Sequence, residues 1–127
     1  MKKLFIVTAV VESATGILFL ISPPLPVSIL FDSSINDPVG LLAARLAGAA
    51  ILSLGVACWL VSKDEKSRVA KGLAAAMLLY NIAAIVLLVY AGLGAHLSGI
   101  GLWPAVVMHI VMGLWCIKFI SVKTLVA

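Results

Sequence analysis

Four apolar stretches follow one another along the chain, each about 20 residues long and so able to cross a hydrocarbon core about 30 Å thick at a helical rise of 1.5 Å per residue. They cover approximately residues 4–21, 39–61, 69–90 and 102–119. Because they use most of the 127 residues, the sequence predicts an all-α fold, a single integral membrane four-helix bundle spanning 1–127. Composition agrees. Hydrophobic residues make up 64% and charged residues only 11%, with a mean hydropathy of +1.25, whereas a water-solvated domain carries roughly 25% charge.

Breaker residues set the boundaries. Ser22-Pro23-Pro24 stops the first helix, Pro38 and Trp103-Pro104 suit first helical turns, and glycines at 92, 94, 99 and 101 mark the last connection. The first stretch has the basic start of a secretory leader. Glu12 interrupts its apolar run, however, and no A-x-A cleavage pattern follows, so a retained helix is expected. The segment from Ser22 to Asp37 contains Pro23-Pro24-Leu25-Pro26 and then Val27-Ser28-Ile29-Leu30-Phe31. It is too short to span, and it reads equally as an interfacial or re-entrant cover and as a lipid-facing loop.

The net charge of +4 does not point to nucleic acid, because the basic residues sit in short clusters beside the apolar stretches. Lys2, Lys3, Lys63, Lys66, Arg68, Lys71, Lys118 and Lys123 lie at the N-terminus, in the second connection or at the C-terminal end. The first and third connections have no Lys or Arg. The positive-inside rule therefore predicts that both termini and the Lys63 to Lys71 segment are cytoplasmic, leaving Asp32, Asp37 and His96 outside. Cys58 and Cys116 lie within predicted helices without C-x-x-C or His/Cys metal spacing, and are expected to be packing residues, not a disulfide or a metal site.

Each predicted helix carries one strongly polar residue: Glu12, Arg45, Asn81 and His109. Ionisable groups in a bilayer cost at least about 3 kcal/mol near the midplane, so they face the bundle interior and find partners. Helical spacing places Thr8, Glu12, Thr15 and Gly16 on one face, and Arg45, Gly48, Leu52 and Gly55 on another. Ala74, Met77, Asn81 and Ala84 align similarly, as do Ala105, His109, Met112, Gly113 and Cys116. Small residues beside the polar ones permit close helix approach. Two arrangements are expected from this pattern. In one, a Glu12–Arg45 ion pair with hydrogen bonds from Asn81 and His109 fixes helix register. In the other, the four residues surround a pocket that binds a polar head group or exchanges a proton, flanked by Thr8, Thr15, Tyr80 and Trp103. Hydrolase, phosphate-loop and metal templates are missing, so no catalytic residue is assigned and no cofactor is identified from the residues themselves.

Glu12-Ser13-Ala14-Thr15-Gly16 with the proline-containing segment after it, Ala44-Arg45-Leu46-Ala47-Gly48, Tyr80-Asn81, and Trp103-Pro104 leading to His109 together resemble the DoxX-like group of small bacterial and archaeal four-helix membrane proteins. The resemblance spans essentially the whole chain through short motifs. It implies a multi-pass protein of the prokaryotic cytoplasmic (inner) membrane, a non-enzymatic accessory or lipid/quinone-binding module with quinone as a candidate ligand; a membrane-protein partner or a homo-oligomer is compatible with it. The placement of Glu12 is also similar to the small multidrug-resistance transporters, which implies a proton-coupled small-solute transporter as the alternative. Arg45 and the long first connection depart from that pattern.

Overall fold

A computed structural model of the chain describes residues 2–125, with side chains through residue 122. The described residues form α1 (Lys2–Ile21), α2 (Pro24–Phe31), α3 (Pro38–Val61), α4 (Arg68–Val89) and α5 (Leu102–Leu125), with a π-helical turn at Tyr90–Gly94 extending α4. There is no strand among them. Four helices, α1, α3, α4 with its extension, and α5, are long and apolar enough to cross a membrane. Their outward faces remain apolar, with Leu42, Leu46, Leu79, Val86 and Val107 exposed. In water such surfaces would be costly, whereas lipid solvates them.

Local chemistry explains most of the ends. The Asp37 carboxylate accepts the Gly40 N–H at 2.6 Å ahead of Pro38, and the Ser67 hydroxyl accepts the Ala70 N–H at 3.2 Å, so α3 and α4 both begin on side-chain caps. Beyond its expected end at 119, α5 continues to Leu125. Lys118 and Lys123 end the apolar run, but lysine is a good helix former and no breaker intervenes. The Lys123 side chain lies outside the described residues.

Two helix pairs make up the bundle. α1 packs along α3 and α4 along α5, while contacts between the pairs are sparse. Glycine draws the first pair together: a Cβ built on Gly16 would lie 2.5 Å from the Leu52 amide nitrogen, and one on Gly48 would lie 2.8 Å from Phe19 Cβ. Between the pairs, the half of the bundle that holds the start of α1 and the α3–α4 connection is packed solid. Phe5, Cys58, Ala74, Met77, Cys116 and Phe119 are buried there. The Phe5 and Phe119 rings meet edge to face at 5.1 Å, joining α1 to α5. Both thiols are free and buried, and they fill space as small apolar groups.

At the opposite end, α2 covers the bundle. The segment that reads equally as cover or loop is thus a helix, begun by prolines whose fixed φ suits a first turn. Asp32 ends it in the left-handed region, at φ 48°, with its N–H donating to the Ser28 carbonyl at 2.9 Å. Two carbonyls near that end would otherwise lack donors. Gly99 donates to Leu30 O at 3.2 Å and Gly101 to Ile29 O at 2.8 Å, tying α2 to the segment that leads into α5. A side chain on Gly99 would collide with the Ile29 and Leu30 backbone, so the tie requires glycine.

Candidate functional site

Midway along the bundle, where the solid half ends, polar residues form a belt. Thr8 and Glu12 lie one turn apart on the inner face of α1, at 2% and 4% exposure. The Tyr80 hydroxyl of α4 stands near the Glu12 carboxyl, a phenol placed to act as its donor. The Tyr80 ring stands edge-on to the His109 ring of α5, with centroids 5.6 Å apart and planes at 77°. His109 Nδ1 lies 2.9 Å from Asn81 Oδ1, and Asn81 Nδ2 donates to the Met77 carbonyl at 2.7 Å. One connected path, Glu12–Tyr80–His109–Asn81, thus joins three helices across the bundle. Buried polar groups satisfied in this way hold helices in register without a hydrophobic driving force.

Arg45 is not part of it, and this corrects the expected four-residue cluster and its Glu12–Arg45 ion pair. Arg45 is exposed, and its Nε donates to the Leu20 carbonyl at 3.3 Å. The cause is depth. Arg45 faces α1 as its helical spacing predicts, but it meets the last turn of that helix, two turns or about 12 Å beyond Glu12. A cation there satisfies a terminal carbonyl and lies at the negative end of the helix dipole. Trp103, another expected flank, is half exposed at the start of α5, packed over Gly92. Thr15 and Tyr80 do flank the site.

Above the belt, toward α2, the two helix pairs diverge around a cavity of about 520 Å³, within the range of ordinary small-molecule sites. Its walls come from all five helices: Phe19 of α1, Ile29 of α2, Ile51 of α3, Ala84 of α4 and Met108 of α5 are typical. The lining is aliphatic and aromatic except for Thr15, Tyr80 and His109, so the polar belt supplies its floor. The sequence reading offered a pocket at these polar residues as one of its two arrangements but did not foresee which small residues would line it. It read Ala84 and Ala105 as close-packing residues, yet both line the space, because no helix approaches them closely there. The contribution of Pro26 and Ile29 had a signal, the apolar stretch too short to span. Among the described residues, no group of three His, Cys, Asp or Glu side chains could hold a metal ion.

Comparison with known proteins finds no matching family model, curated protein or solved structure.

Proposed function

We propose that this chain is a non-enzymatic membrane module that holds an elongated apolar molecule, a lipid or a quinone, between its two helix pairs. The observation that carries the proposal is the cavity itself: about 520 Å³ of apolar space ending on a floor of Thr15, Tyr80 and His109. That is the layout of a site that buries a hydrophobic body and fixes one polar end. The resemblance to DoxX-like proteins supports the same reading. The charge bias supports a cytoplasmic side for the solid, lysine-flanked end, placing α2 at the outer face of a prokaryotic inner membrane.

Ala105 lies one turn from His109 and lines the cavity, so Ala105→Phe fills the space above the floor. Native mass spectrometry of the detergent-released protein is expected to show co-purified lipid or quinone on the wild type and at least about tenfold less on this variant, the loss of roughly 1.4 kcal/mol of binding. Arg45→Ala, outside the cavity, should leave occupancy within about twofold. Equal occupancy in all three proteins would remove the cavity as the site.

A second reading, proton-coupled transport through Glu12, gains from the position of Arg45. The cation that would have repelled a positively charged substrate stands two turns away on the α1 terminus. Glu12 itself reaches the cavity only by way of Tyr80, which is why transport ranks second. It predicts substrate-driven proton flux in liposomes that vanishes in Glu12→Gln. The binding-module reading expects no flux from either protein.

A further inference from the structure

The cavity floor carries an acceptor that the protein does not use. Asn81 Nδ2 donates to the Met77 carbonyl, which fixes the amide, since the reversed orientation would set Oδ1 against a carbonyl oxygen. Oδ1 therefore faces His109, and at 2.9 Å from Nδ1 it requires the ring proton to be there. Tyr80 stands edge-on to the ring, whose hydrogen-bond partner is Asn81, and no carboxylate among the described residues pairs with the imidazole. An unpaired buried imidazolium is expensive, and the ring is neutral. Its Nε2 is then a bare lone pair.

Among the described residues no group donates to Nε2. The ring is 8% exposed, yet Nε2 is not among the polar atoms sealed away without a partner. The space His109 borders is the cavity. The Tyr80 proton has the Glu12 carboxyl beside it as a partner within the protein. Thr15 alone can both donate and accept. The floor thus presents mainly acceptors.

Resting on the binding reading above, we propose that the cavity selects an apolar molecule whose head carries an O–H donor, such as a phenol, a hydroquinone or a long-chain alcohol, over its carbonyl or ether counterpart. His109 Nε2 accepts that proton in a hydrogen bond. A carbonyl head would face the Nε2 lone pair acceptor to acceptor, and no nearby water would screen the mismatch in so apolar a lining. The reduced form of a quinone then fits better than the oxidised form.

Two probes identical except for the donor test this: 4-decylphenol and its methyl ether, 4-decylanisole, titrated onto the detergent-solubilised protein and read by native mass spectrometry. The wild type is expected to bind the phenol roughly five- to tenfold more tightly, the worth of one hydrogen bond in a desolvated site. In His109→Phe, which keeps a ring against Tyr80, the ratio should fall to about one. His109→Gln, whose amide can turn either end to the cavity, should shrink it as well and serves where the Phe variant does not fold. Equal binding of both probes by the wild type overturns the inference and leaves the binding reading standing. Binding of neither overturns both. A phenol preference that survives both substitutions removes His109 as the selecting group.

Discussion

Gly16→Ala is expected to destabilise the bundle by about 2 kcal/mol, although alanine is the better helix former by about 1 kcal/mol. The added methyl would meet the Leu52 amide nitrogen at 2.5 Å, the Gly48 carbonyl oxygen at 2.7 Å and Leu52 Cα at 2.8 Å. These are backbone atoms of the facing helix and cannot rotate away, so α1 and α3 must separate. Separation also loosens Gly48 and Gly55, which lie against α1 through the same contact. Gly16→Leu should exceed about 3 kcal/mol or prevent folding. Gly72→Ala provides the opposite sign. Nothing lies within 4 Å of its added Cβ, and the propensity gain should raise stability by up to about 1 kcal/mol. Thermal or SDS-induced unfolding in micelles reads both. A stabilising Gly16→Ala would show that the α1–α3 contact is not the close one described.

The same contact shows how far the sequence could be read. The spans were legible because length and uninterrupted apolarity suffice to define a membrane helix, and the buried faces were legible because Glu12 with Gly16, and Met77 with Asn81, recur at helical spacing. Relative depth between helices was not. Arg45 shares a face with Gly48 and Gly55, and all three do address α1, but the spacing within α3 says nothing about which turn of α1 each one meets. Only the antiparallel register sets Arg45 beside Leu20. Tyr80 was underrated for a related reason: beside Asn81 in sequence it reads as a flank, and its place near Glu12 depends on how α4 lies against α1. A void is harder still to read, because alanine has the same appearance in a sequence whether a helix packs against it or space does.

Tyr80→Phe is expected to cost about 2–3 kcal/mol. The Glu12 carboxyl is 4% exposed, and the Tyr80 hydroxyl is the donor placed near it. Removing the phenol oxygen strips a buried carboxyl of that donor, and the unsatisfied group bears the cost. If that bond serves structure alone, Glu12→Met together with Tyr80→Phe should be nearly neutral, since apolar groups of similar shape replace both partners at little net loss. The double variant is therefore expected to recover to within about 1 kcal/mol of wild type, a non-additivity of the size that touching residues show. Unfolding in micelles measures all three proteins, and additive losses would disprove the pairing. Glu12→Met alone, which leaves the Tyr80 proton free to donate into the cavity, should weaken the phenol preference, whereas the double variant, with no hydroxyl at position 80 and His109 intact, should keep it. Glu12 occupies the Tyr80 proton and so keeps the cavity floor an acceptor surface, whereas a hydrophobic pair would hold the helices together equally well.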